Sequence, residues 1–344
     1  MNNNLTIKTK QSVGLTPAIY MRKLLEVAGE FGVDKNIVLE QIDLSELELE
    51  SCDMYYTVEQ HFDSLRMIRK QVDIQGLGVL VGDRISIADL GIMGYAMLSS
   101  PTLRRAINVA MRFQRITDPV LHMDFHEGSK DFVITIEPLF LLGEAYRYDV
   151  EETLAIWNQI LFFYFGEHAK FTQIKVTWSK PEYARMYKDT FQCKVLYDQD
   201  RNDFRFSKEL LDQPLSLAND QAARICEQQC AELLRKLSKG ETILDTVRRI
   251  LINSPGRLPQ LVEVAEKLHT SPRNLRRKLS EANTSFRQIA DEVRMHLAVE
   301  YLRDTNLSIE QIAILVGYSD ASNFHRAFKR YNELTPSDFR NSLQ

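Results

Sequence analysis

The stretch Ile309–Arg340, IEQIAILVGYSDASNFHRAFKRYNELTPSDFR, constrains the fold most, because its apolar spacing and its glycine together predict a helix-turn-helix. Ile309, Ile312, Ala313 and Val316 repeat at helical spacing, and Gly317 supplies the turn. Ser319 can cap a second helix that carries His325, Arg326, Lys329 and Arg330. A second unit with the same layout lies upstream, at Leu261–Glu281. There Leu261, Val264, Ala265 and Leu268 make the buried face of a supporting helix. His269-Thr270 forms the turn, Ser271 offers an acceptor to orphan amides, and Pro272 suits the first helical position. Two such units in one chain point to a DNA reader that grips two successive stretches of groove.

The first reading helix is expected to present Arg273, Asn274, Arg276, Arg277 and Lys278, with Leu275 and Leu279 in the core. Its cations run with no acid until Glu281, so they repel one another unless a polyanion is present; the alternative is a solvated basic surface. In the second unit Ala321, Ser322, Asn323, His325 and Arg326 are the expected reading positions. Lys329 sits nearer the DNA backbone, and Phe324 and Phe328 belong to the core. His325 is either a pH-sensitive contact or, more plainly, a neutral hydrogen-bonding one. Ser285 is placed to cap a helix from Phe286 to Arg303, which at 1.5 Å per residue spans about 27 Å. That length is of the order of one DNA turn, about 34 Å.

Net charge divides along the chain. From Pro255 onward there are 13 Lys+Arg against 11 Asp+Glu, a net of +2, and the remainder carries −6. Attraction to a polyanion must therefore come from a local patch. Nothing approaches the run of about 18 apolar residues expected of a membrane span, and the polar start MNNNLTIKTK does not read as a signal peptide. Cys226 and Cys230 lie one helical turn apart without a companion His or Cys, so they read as ordinary helix cysteines in a reducing cytoplasm.

The front of the chain reads as α+β, with helices packed on a mostly antiparallel sheet. Residues 16–85 are predicted helical, with starts at Thr16-Pro17, Asp34 and Thr57. Pro101 and Thr102 open another helix. Over 90–210, Leu121–His126 and Phe132–Glu137 alternate around Glu127-Gly128-Ser129 as a hairpin. Val150–Phe165 reads as a core helix, and Phe171–Trp178, Lys194–Tyr197 and Asp203–Phe206 read as strands flanking a short helix at Pro181–Phe191. The expected division is a regulatory domain over 1–215, a helical connector over 216–254 and an all-α DNA-binding domain over 255–344. In the connector, Ala222, Ile225, Cys226, Leu233 and Leu237 share one face, suited to dimerisation or to packing on the same chain. Asn253-Ser254-Pro255-Gly256 is the best hinge.

SPRNLRRKLSEANTSFRQIADEVR, followed by IAILVGYSDASNFHRAFKRYNELTPSDFR, resembles the DNA-binding domain of AraC/XylS-type bacterial transcription regulators over about 85 residues. Asn283 and Glu333 stand where that family usually has glycine after a helix. GIMGYAMLSSPTLRRAI, Gly91–Ile107, is similar to a segment of the branch with a long arabinose-binding-type N-terminal effector domain. The resemblance implies an effector-responsive regulator, more often an activator, acting on double-stranded promoter DNA with RNA polymerase. It also implies a small-molecule effector and makes a homodimer a candidate state.

No nucleotide loop, nucleophile elbow or paired-carboxylate spacing stands out, so neither an enzyme nor a cofactor is expected. His122 and His126 lack the companions of a metal site. The aromatic run Trp157–Phe165 could wall an apolar pocket or simply serve the core. Arg112, Arg115, Arg147 and Arg185 are candidate partners for an effector carboxylate, with no basis for choosing among them. Two alternatives stay open: a regulator governed by protein contacts without a ligand, and an enzyme fused to a DNA-binding module.

Overall fold

The computed structural model describes residues 6–7, 15–51, 54–139, 145–239, 243–252, 258–282, 284–304, 307–318, 320–332 and 334–341. They form two compact units. The front one draws on residues 1–138 and 147–239, and the rear one on 139–146 and 240–344.

In the front unit the strand Met54–Thr57 pairs antiparallel with Leu15–Pro17 and parallel with Thr6–Ile7. This small sheet interrupts the region predicted as helical, and Thr16-Pro17 end a strand instead of capping a helix; the helix Ala18–Glu30 begins just after them. Asp34 and Thr57 do start helices. Asp34 accepts from the Asn36 amide at 2.8 Å, and Thr57 forms a reciprocal capping pair with Gln60 at the head of Val58–Gln71.

A five-stranded sheet follows, in the order Leu121–Glu127, Asp131–Pro138, Asn202–Ser207, Gln173–Lys175, Lys194–Leu196. The hairpin pairs Leu121 with Pro138 and Glu127 with Phe132, so the predicted alternation is realised. Only the last pair of strands runs parallel. Phe132, Phe171, Phe204 and Phe206 fill one side of the sheet, and Trp157 of the long helix Ala145–Phe165 packs on Phe204 at a centroid distance of 5.9 Å.

The stretch 216–254 is shared between the units. Asp220–Lys239 packs against Gly91–Leu98, with Ala223 and Cys230 buried and Ile225 turned to solvent. Ile243–Ile252 instead gives Val247 and Leu251 to the rear core. That core is continuous through Val264, Leu275, Ile289, Val293, Leu297, Ile312, Phe324 and Phe328. The linker helix Phe286–Asp304 therefore holds both helix-turn-helix units on one apolar mass. Arg248 pairs with Glu292 on it at 2.7 Å, and Arg340 donates to the Leu302 carbonyl at 3.2 Å. The expected hinge at 253–256 lies outside the described residues, as do Asn283 and Glu333.

Candidate functional site

Both units of the rear core set a basic helix on an apolar base. In the first, Leu261–Lys267 supports Pro272–Glu281, and the chain turns at His269, whose φ of 48° is left-handed. Ser271 Oγ accepts from the Asn274 amide at 3.2 Å, and Pro272 takes the first helical position. Leu275 and Leu279 are fully buried, which leaves Arg273, Arg276, Arg277 and Lys278 exposed. Asn274 is half-buried. Its side-chain amide donates to Thr270 Oγ1 at 2.8 Å, and its Oδ1 accepts from Arg277 at 3.0 Å.

The second unit repeats this design. Ile309–Leu315, capped by Ser308 and Gln311, leads through Gly317 at φ 85° to the helix Ala321–Asn332. Ser319 lies outside the described residues; Asp320 makes the capping bond, accepting from the Asn323 amide at 2.7 Å. Phe324 and Phe328 are buried, Ser322, Asn323, Arg326 and Lys329 are exposed, and Ala321 and His325 are half-buried. Asn323 Oδ1 accepts from Arg326 at 3.0 Å. Asn274-Leu275-Arg276-Arg277 and Asn323-Phe324-His325-Arg326 thus share one local device. An asparagine three residues back steadies an exposed arginine, with a buried apolar side chain between them.

The front unit contains a partly open cavity of about 50 Å³, where a single water needs roughly 10–15 Å³. Tyr20, Tyr56, Met93, Met97, Met123 and Trp157 give it aromatic and thioether walls, and Asp118, Asp149, Glu152 and His61 give it titratable ones. Backbone contact fixes the acids in place. The helix Leu77–Gly82 lies so close to Ala145–Phe165 that a Cβ at Gly78 would stand 2.3 Å from the Tyr148 carbonyl oxygen, and one at Gly82 2.3 Å from that of Glu152. His61 Nε2 meets Asp149 Oδ1 at 2.8 Å, and its Nδ1 lies 3.5 Å from the Tyr56 hydroxyl. Asp118 Oδ1 accepts the amides of Val120 and Leu121 at 3.0 and 2.9 Å, and Glu152 Oε1 accepts the Tyr148 hydroxyl at 2.7 Å.

Burial raises all three carboxyls, Asp118 to about 7 and Glu152 to about 8, while the His61 charge partly offsets the rise at Asp149. Burial pulls His61 down, but the charge and hydrogen bond of Asp149 outweigh it and leave the imidazole above its ordinary value. Among the described residues no three His, Cys, Asp or Glu side chains are placed to hold a metal ion.

Residues 32–215 match the family described as "Arabinose-binding domain of AraC transcription regulator, N-term", and residues 264–342 match "Helix-turn-helix domain". The chain belongs to the AraC family of transcription regulators. It is 32% identical to an ornithine utilization regulator from Pseudomonas aeruginosa, over 95% of this chain and 96% of the relative. An HTH-type transcriptional regulator from Mycobacterium tuberculosis is 28% identical, over 94% of this chain and 95% of its own. Among solved structures, transcriptional regulator CdpR from Pseudomonas aeruginosa is similar at 19% identity and a TM-score of 0.46, covering 94% of this chain and 98% of that one. The domain order of this AraC-family regulator, an α+β effector-binding domain followed by an all-α helix-turn-helix domain, is that of the family. No helix among its described residues is long and apolar enough to cross a membrane.

None of the four arginines offered for an effector carboxylate lines the cavity of this AraC-family protein. Arg112 lies over Phe113, Arg147 binds Glu151 at 3.0 Å beneath Tyr183, and Arg185 is exposed beside Asp189 at 3.5 Å. Of the aromatic run, Trp157 faces the cavity, whereas Phe162 and Phe163 are solvent-exposed. Asp149 and Glu152 sit in YDVEETLAIW, where charged residues read as the outer face of a helix; their signal in the sequence is three-residue spacing next to the apolar run Leu154–Trp157.

Proposed function

We propose that this AraC-family regulator activates transcription by inserting Pro272–Glu281 and Ala321–Asn332 into successive major-groove segments of promoter DNA, in response to a small-molecule effector held by the front unit. The repeated asparagine–arginine pair carries the reading. Each arginine is exposed yet already ordered, so less rotamer freedom is lost when it meets a base edge or phosphate. Arg273, Arg276, Lys278, Ser322, His325 and Lys329 supply the surrounding backbone and base contacts; Asn274 and Asn323 act by steadying their arginines. The linker helix of 19 residues, about 28 Å long, suits reading helices set about one DNA turn apart. Full-length similarity to a regulator named for ornithine utilization supports control by a metabolite.

The test is occupancy of the native promoter at fixed moderate salt. Arg277→Ala and Arg326→Ala should each weaken specific binding by roughly 10- to 100-fold, the worth of one good arginine–base contact. Thermal melting should be unchanged, because both side chains are exposed. Wild-type affinity in both variants would refute the assignment of the reading faces.

A further inference from the structure

Acidic side chains buried on one helix of the front unit differ sharply in how well they are satisfied. Glu151 receives Arg147 at 3.0 Å, the Tyr183 hydroxyl at 2.7 Å and a close Tyr187 hydroxyl, so its charge has a structural home. Asp149 and Glu152, on the cavity side, do not. Asp149 is 3% exposed, and its Oδ2 is fully buried with no hydrogen-bond partner among the described residues. Among the described residues Glu152 has the Tyr148 hydroxyl as its one hydrogen-bond donor, and Asp118 accepts its two backbone amides through Oδ1. An unmet buried acceptor is unfavourable, and a buried anion without a countercharge more so.

The lining contains no lysine or arginine to supply that countercharge. His61 is committed to Asp149 Oδ1 and Tyr56, and Gln114 spends its amide on the Met111 and Met123 carbonyls and the Met123 amide. What the cavity lacks is a positively charged group rich in donors. A primary ammonium brings three donors and no acceptor. The aromatic rings of Tyr20, Tyr56 and Trp157 in the lining are compatible with the same charge, and the methionines accommodate an aliphatic stem. A bare metal ion fits poorly, since no triad of ligating side chains converges among the described residues.

We propose that this cavity is the effector site and that it takes a small aliphatic amine or diamine lacking a carboxylate. Asp149 and Glu152, three residues apart on one helix and both in the lining, receive one ammonium, and Asp118 stands as acceptor for a second. A cavity of this size suits a short chain, and a ligand carboxylate would meet Asp118, Asp149 and Glu152, while His61, the one cationic group in the lining, is already held by Asp149. The inference rests on the effector-responsive reading above and gives that effector a chemical class. Binding should strengthen as pH rises from about 6 to 8. Loss of protons from Asp118 and Glu152 makes the site more negative, whereas Tyr20, Tyr56 and Tyr148 stay protonated across that range because burial raises them.

The experiment is calorimetric titration of the full-length protein with 1,4-diaminobutane, alongside butane-1,4-diol, succinate and ornithine. The diamine is expected to bind, with at least about tenfold weaker affinity in Asp149→Asn and in Glu152→Gln and about tenfold tighter affinity near pH 8 than near pH 6. Neutral and anionic isosteres should not bind, and ornithine should bind more weakly than the diamine. No heat or thermal shift with the diamine, in protein that still occupies its promoter, overturns the site while leaving the DNA reading intact. Equal binding of the diol, or affinity indifferent to both substitutions and to pH, overturns it as well. Diamine binding that never alters promoter-driven transcription overturns the effector role assigned to the site.

Discussion

Replacing Glu152 with Gln should stabilise the unliganded protein at alkaline pH and do little near pH 4. The carboxyl is 7% exposed, and burial pushes it from about 4.5 up to about 8. Below the lower value it is protonated in folded and unfolded chains alike, so it contributes nothing to pH dependence. Between the two values the unfolded chain has released the proton and the folded chain has kept it, so stability falls as pH rises and levels off above about 8. One pKa unit corresponds to about 1.4 kcal/mol, so the full interval amounts to at most about 5 kcal/mol. From near pH 6 to near pH 9 about two of those units are crossed, roughly 3 kcal/mol.

Glutamine can still accept the Tyr148 hydroxyl through its amide oxygen but has no charge to bury. The variant should therefore gain about 3 kcal/mol on wild type between those pH values. At 2–4 °C per kcal/mol for a unit of this size, the difference in Tm should widen by about 6–12 °C. The Glu152 charge raises His61 and the Asp118 charge raises Glu152, so these groups are coupled and about 3 kcal/mol is the ceiling of the difference. Scanning calorimetry of both proteins at the two pH values, following the front-unit transition, is the assay. A gap that stays constant or narrows would show that Glu152 is not held protonated by burial.

Gly82→Ala should destabilise the front unit by about 1–3 kcal/mol, read by thermal melting, because its new methyl would fall on the Glu152 carbonyl oxygen. Leu251→Ala should destabilise the rear unit by about 2–5 kcal/mol in denaturant titration of residues 240–344, because Leu251 is fully buried in that core. Lys329→Ala should lower the slope of log affinity against log salt by about 0.9, the share of one phosphate contact, without changing which promoter base pairs are preferred. Asn323→Ala should weaken promoter binding less than Arg326→Ala does, and combining the two should add little beyond Arg326→Ala alone.

Elements whose evidence is local were legible in the sequence. Both helix-turn-helix units follow from apolar spacing, caps and Gly317, and the hairpin from alternation around Gly128. Elements made by distant pairing were not. Met54–Thr57 has four consecutive buried residues and no alternation, and its partner Leu15–Pro17 lies far upstream, so nothing nearby announces a strand. Strand direction is equally silent, so nothing in the sequence announces the parallel pair of Gln173–Lys175 and Lys194–Leu196. In Asp220–Lys239 helical spacing groups Ala222, Ile225, Cys226, Leu233 and Leu237, yet Ala223 and Cys230 are the buried residues and Ile225 is exposed, because the neighbour Gly91–Leu98 is distant in sequence. The cavity is the extreme case: His61 and Asp149 are 88 positions apart and carry no motif until the fold joins them.

That late-assembled cluster bears on how regulation can work at all. A ligand shifts a regulator only by its difference in affinity between two states, however tightly it binds either one. Buried carboxyls held protonated provide such a difference, because each can bind a cation only after giving up its proton and only where the walls still enclose the cation. Any conformation that opens the cavity to water lowers those carboxyls toward their ordinary values and removes the unmet acceptor at Asp149 Oδ2. The open form is then favoured without ligand as pH rises, and the closed form is favoured once an ammonium occupies the site. The same charges that weaken the empty front unit above neutral pH would make its closure conditional on ligand. This coupling predicts that Glu152→Gln, by stabilising the empty closed form, should leave promoter activity less dependent on added diamine; a variant more stable than wild type yet equally inducible would separate cavity closure from control.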